Sequence, residues 1–115
     1  VQSKLLKIKL MPNSRIHLEA LIAYMREHIE FPKSEMEQKG YFWDCVFYEK
    51  TNNFEYVYIV IKSNDFSKIM MDESEIIISP FRAVYEKFRD QCWAPEPYTD
   101  LEPVFCFNSS LTFSG

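Results

Sequence analysis

Glycine is nearly missing from this chain, with two in 115 residues, Gly40 and Gly115. Loops that lay backbone amides against phosphate need several glycines at fixed spacing, so a Walker loop and a dinucleotide-binding turn are both excluded. Histidine is as scarce: His17 and His28 are the only two, on one expected helix. Two imidazoles roughly three turns apart cannot chelate one metal, so they read as rim groups and no metal site is expected. Cysteine comes as three residues, Cys45, Cys92 and Cys106, with no CxxC pair. An odd number at wide spacing fits free thiols in a reducing compartment, and cytoplasm is the simplest reading. Cys45 and Cys106 fall in strand patterns as small core residues, while Cys92 is expected to be the most exposed of the three and inert. Basic charge is in deficit, 13 Lys and Arg against 17 Asp and Glu for a net charge of -4. Such a chain lacks the field that draws proteins onto nucleic acid or anionic membranes. No apolar run is long enough to cross a bilayer, and the N-terminus opens onto a strand-like segment rather than a signal peptide. The absence of an initiator Met suggests a trimmed start, which leaves room for a leader upstream.

What is abundant is apolar and aromatic, 47% and 17% of the residues. That composition predicts one compact domain over residues 1–115. Leu6, Ile8 and Leu10 alternate with Lys7 and Lys9, the period of a half-buried strand. After Pro12-Asn13-Ser14, the positions Leu18, Leu21, Ile22, Met25 and Ile29 predict an amphipathic helix that Pro32 breaks. Ser34-Glu35-Met36-Glu37 reads as a capping box restarting a short helix, which Gly40 closes in a left-handed conformation. Tyr41–Glu49 and Glu55–Lys62 are β-rich runs around Thr51-Asn52-Asn53-Phe54, hence a hairpin. Asn64-Asp65 caps a short helical turn through Ile69 and Met70. Ser79-Pro80 then opens a second main helix, to about Cys92, that buries Phe81, Val84, Tyr85 and Phe88. A last strand is expected at Val104-Phe105-Cys106-Phe107. Ser109 to Gly115 reads as a frayed end, and the sequon at Asn108 as chance.

The order β-α-β-β-α-β gives a split βαβ arrangement, a four-stranded antiparallel sheet with helices on one face and strands one and three central. The other face decides the function. It is expected to carry Lys7 and Lys9 from the first strand and Tyr56, Tyr58 and Val60 from the third. If Tyr48 pairs with Tyr56, then Asp44, Val46 and Tyr48 join that face; a one-residue slip brings Trp43, Cys45 and Phe47 instead. The first register is preferred, because it turns Trp43 and Phe47 to the helices and keeps Asp44 out of the core. An aromatic face of this kind marks an interface or a pocket. Two such sheets packed face to face form a dimeric barrel with polar residues lining a small interior.

The run Leu6 to Leu10, the hairpin DCVFYEKTNNFEYVYIVIK, Ser79-Pro80-Phe81-Arg82 and Leu101-Glu102-Pro103-Val104 together resemble a family of small uncharacterised proteins, a domain of unknown function. The resemblance covers Lys4 to about Asn108 and implies an α+β, ferredoxin-like fold of the dimeric α+β barrel group. That family tends to an acidic residue before the V-F of the hairpin, which makes Asp44 the first choice for a site. The fold group hosts many activities, so fold alone fixes none. Two functions are carried forward. In one, a homodimer binds a small organic molecule between its sheets, with Lys7 and Lys9 pairing an anion, Tyr48 and Tyr56 stacking or donating hydrogen bonds, and Asp44 and Tyr58 as catalytic candidates. Cofactor-free oxidation or isomerisation is the reaction type that suits those residues. In the other, the face is only an interface of a non-catalytic dimer. RNA binding through Tyr56 and Tyr58 fails the motif test, since the basic and glycine residues of the RNA motif are absent.

Overall fold

The structure is a computed structural model in which residues 1–69 and 79–106 are described. Among them the chain forms β1 (Gln2–Leu10), α1 (Arg15–Glu27), α2 (Glu30–Lys39), β2 (Tyr41–Lys50), β3 (Glu55–Ser63), a 3₁₀ turn (Phe66–Lys68), α3 (Pro80–Cys92) and β4 (Thr99–Leu101). It is an α+β protein with three helices and one four-stranded antiparallel sheet, in the order β2-β3-β1-β4. Strands β1 and β3 are central, as the element order predicts.

One face of the sheet carries Ile8, Leu10, Val57, Ile59 and Ile61, which pack with Leu18 and Leu21 of α1 and Phe81, Phe88 and Cys92 of α3. The alternation in β3 is regular, with every odd residue from Glu55 to Ser63 buried. A strand whose neighbours lie on both sides and whose one face meets helices requires that period. Ser79 caps α3 by accepting a hydrogen bond from the Arg82 N–H, and Pro80 stands at its first position. The Ser79 hydroxyl donates in turn to the buried carboxylate of Glu35 on α2, at 2.8 Å. Asp65 caps the 3₁₀ turn through the Ser67 N–H.

Three expectations need correction. Helix α1 ends at Glu27, not beyond Ile29, because His28 leaves the helical region at φ -129°, ψ 51°. Pro32 does not break a helix; it is the third residue of α2, where the backbone needs no intrahelical N–H partner, and Ser34 lies inside that helix rather than capping it. The last strand is Thr99–Leu101, paired with Leu5–Lys7, and Val104–Cys106 carry no strand. Pro103 ends the pairing because it has no N–H to donate. Met70, Phe107 and the expected frayed end with its sequon lie outside the described residues.

Gly40 holds φ 84° at the C-terminus of α2, with its N–H donating to the Met36 carbonyl. A Cβ there would meet Ile69 Cγ1 at 3.6 Å, an ordinary contact. Steric room is therefore not the constraint; the left-handed backbone is. Gly40→Ala is expected to cost about 1 kcal/mol, read as a shifted denaturation midpoint at unchanged slope.

Candidate functional site

The hairpin decides which side chains reach the open face. Its loop is closed by the Thr51 N–H donating to the Phe54 carbonyl, while the Thr51 hydroxyl accepts from the Phe54 N–H. That geometry sets Lys50 opposite Glu55, so Tyr48 pairs with Val57 rather than Tyr56. Between Trp43 and Cys45 a β-bulge at Asp44 shifts the register by one residue, and Trp43 pairs with Ile61. Each register weighed from the sequence is thus realised on one side of the bulge. Trp43 faces the helices as preferred, Asp44 stays outside, and Cys45 and Phe47 are on the open face. Three residues beyond the bulge are corrected: Val46 and Tyr48, expected on the open face, point to the helix side, and Phe47, expected against the helices, stands on the open face.

Across the open face the pairing sets four rows. Glu49, Tyr56 and Lys9 form the first; Phe47, Tyr58, Lys7 and Thr99 the second; Cys45, Val60, Leu5 and Leu101 the third; Phe42, Lys62 and Ser3 the last. The two middle rows are apolar apart from Lys7, Thr99 and the tyrosine hydroxyl, and Phe47 is 55% exposed. The outer rows hold the charges. Lys9 bonds Glu96 at 2.9 Å, and its ammonium sits 3.9 Å from the centre of the Phe54 ring. Lys62 pairs with Asp44 at 3.3 Å. The Asp44 carboxylate, the first sequence choice for a proton acceptor, is therefore already engaged, and it also accepts from the Cys45 thiol at 3.7 Å.

Tyr58 donates to the Glu49 carboxylate at 2.6 Å. That bond, helped by burial and the carboxylate's charge, holds its hydroxyl pKa up at about 12. A phenol so held is a fixed donor, not a proton shuttle near neutrality. Glu49→Gln is expected to bring the Tyr58 pKa back toward 10, readable as tyrosinate absorbance in an alkaline titration. Lys7 differs from the other lysines of the face. Its ammonium lies 4.8 Å from the Tyr56 ring centre and 5.9 Å from that of Tyr58, with no carboxylate in ion-pair range among the described residues.

A second polar cluster, on the helix side, was not singled out by the sequence reading. Glu55 is only 5% exposed. Its carboxylate accepts from the Asn13 and Ser14 N–H groups and from the Tyr48 hydroxyl at 2.7 Å, while the Arg15 guanidinium lies 4.6 Å from the Tyr48 ring centre. Ser14 makes no cap of its own, its hydroxyl donating to the Met11 carbonyl, so Glu55 serves the N-terminus of α1 from across the fold. Burial pushes the Glu55 carboxyl up, but the hydrogen bonds from Tyr48, Asn13 and Ser14 and the charge of Lys50 outweigh it, and the net shift is down. Burial pushes the Tyr48 hydroxyl up, reinforced by the bond to Glu55. The signal was legible: Glu55 has the same parity as Val57, Ile59 and Ile61, and a carboxylate in that series must find donors.

The cysteines also depart from expectation. Cys92 is buried, at 1% exposure, and burial pushes its thiol up; Cys45 is exposed on the sheet. His28 stands against the rings of Tyr24 and Phe31. Among the described residues no group of three or more His, Cys, Asp or Glu is placed to hold a metal ion, and no helix is long and apolar enough to cross a membrane. A groove of about 450 Å³ opens beside α2 on the helix side, between Met25, Met36, Tyr41 and Trp43. None of the six predicted site residues lines it.

Fold and face together define a small α+β protein with a half-covered antiparallel sheet and an aromatic open side. The chain belongs to a family of unknown function, DUF6176, whose sequence profile matches residues 1–109. Neither a curated protein nor a solved structure matches the chain significantly.

Proposed function

We propose that this protein is a ferredoxin-like homodimerisation module, a dimeric α+β barrel in which two copies cover each other's open sheet faces. The carrying observation is the row order: two apolar rows lie across the middle of the face, between charged rows at its ends. An apolar centre with a polar rim is the anatomy of a protein interface. The strand order β2-β3-β1-β4, with both central strands exposed on one side, supports the ferredoxin-like assignment. Size agrees as well. Three strands about 30 Å long and a fourth of about 10 Å, each about 4.8 Å wide, give a plane of roughly 480 Å², which side-chain relief brings toward the ~800 Å² per partner of a standard interface.

The pairings at Asp44 and Tyr58 favour this reading over catalysis by those two residues. One carboxylate holds a lysine and the other holds the phenol, both within the chain. Lys9 and Tyr56 belong to the rim of the interface, and Lys7 to its centre. Free thiols, including the exposed Cys45, fit a cytoplasmic setting. Sedimentation velocity of the intact chain at micromolar concentration tests the proposal: a dimer is expected, and a strict monomer overturns it.

A further inference from the structure

We infer that the covered face binds a small aromatic carboxylate, held by the Lys7 ammonium between the rings of Tyr56 and Tyr58. The inference rests on the face-to-face dimer proposed above and adds its ligand. Eight residues make up the two middle rows, and Lys7 is the only one of them with a formal charge. The two lysines of the outer rows have anions within the chain, Lys9 in Glu96 and Lys62 in Asp44, while the Glu49 carboxylate accepts a hydrogen bond from the neutral Tyr58 hydroxyl. The Lys7 ammonium lies over ring faces, 4.8 Å from the centre of Tyr56 and 5.9 Å from that of Tyr58, with no ion pair among the described residues. Cation–π contact offsets part of the cost of drying an ammonium, but a charge buried without an anion is expensive.

Covering the sheet with a second copy makes that cost larger. Lys7 lies at the middle of the central strand β1, opposite Tyr58 on one side and Thr99 on the other. A two-fold axis through the face centre brings the two ammonium groups toward each other in a medium of lower dielectric than water. An anion entering between them turns repulsion into attraction. Its body meets Phe47, Tyr56, Tyr58 and Val60, which favour a flat apolar ring over a hydrated inorganic ion. An aromatic carboxylate combines both features. No bond is made or broken in this step; it is binding alone.

The sign of one substitution separates a ligand from a partner-chain counterion. Lys7→Met removes the unmatched charge and keeps the stem. Under the inference it tightens the ligand-free dimer, by about tenfold in Kd, and abolishes the response to anion. If Lys7 instead met a carboxylate of the second copy, the same change would weaken the dimer. The probes are 4-hydroxybenzoate and its neutral isostere 4-hydroxybenzamide, titrated into the intact protein while dimer Kd is followed by sedimentation and Tyr58 and Lys7 by NMR. The expected result is tightening of the wild-type dimer by the acid, none by the amide, and none by either in Lys7→Met. Equal effects of acid and amide, no effect of either on an established dimer, or a weaker Lys7→Met dimer overturn the ligand inference and leave the dimer standing. A wild type that stays monomeric overturns the dimer itself. Lys7→Arg, which retains the charge, is expected to keep the acid response and controls for misfolding at this position.

Discussion

Glu55→Ala is expected to lower the stability of the protein by about 3 kcal/mol, roughly 10 °C in Tm. The reason is what the substitution strands. Two backbone N–H groups at the start of α1, from Asn13 and Ser14, lose their acceptor, and the Tyr48 hydroxyl loses its partner in a buried site. Nothing local replaces it, since the Ser14 side chain is turned to Met11. Tyr48→Phe removes only one of the three donors and is expected to cost about 1 kcal/mol. The pH dependence follows from the lowered folded-state pKa. Its contribution is fully present above the unfolded carboxyl value near 4.5 and is lost as pH falls through the lower folded value. Glu55→Gln, which cannot titrate, is therefore expected to flatten the acid limb of stability against pH. A Gln variant with the wild-type acid limb would assign that limb to other carboxylates.

Val60→Lys is expected to weaken self-association at least about 100-fold while leaving the fold intact. Val60 stands in the apolar third row, between Cys45 and Leu5, and contributes nothing to the helix-side core. In one chain the new ammonium stays in water. In the dimer both copies place one at the centre of a dry contact, one row from Lys7 and one from Lys62, so it meets like charge and finds no anion at Cys45 or Leu5 opposite. Circular dichroism and the denaturation midpoint should change little, whereas sedimentation should move from dimer to monomer. Loss of fold together with association would place Val60 in the core instead and count against the assignment of the two faces.

The fold was legible in the sequence wherever a period ran uninterrupted. The β1 and β3 alternations, the Ser79-Pro80 helix start and the left-handed Gly40 were all readable as local rules, and the central position of β1 and β3 follows from chain order. The hairpin was harder because two registers of β2 are both good locally, and the bulge at Asp44 uses both. A bulge adds one residue without a composition signal of its own, so Tyr48 could not be sent to the correct face by parity alone. The last strand was misplaced for a related reason. Val104-Phe105-Cys106 has the stronger β propensity, but Thr99–Leu101 is the segment that meets Leu5–Lys7. Propensity yields there to tertiary pairing. Of the candidate site, Lys7, Lys9, Asp44, Tyr56 and Tyr58 reach the open side as the alternation implied. Their pairing partners Glu49, Lys62 and Glu96 lie too far along the chain to be assigned from spacing.

The irregularity at Asp44 bears on what kind of assembly can form. Strand β2 is an outer strand of ten residues, long enough to template another chain by backbone hydrogen bonding and so to start an endless ribbon. A kink with a carboxylate at mid-strand spoils that ladder, and the opposite border is a strand of only three residues followed closely by Pro103. With both described borders blunted, growth sideways is discouraged. Contact through the flat side, by contrast, would use up its own surface when two copies meet, so the proposed assembly would stop at a closed pair rather than a fibre.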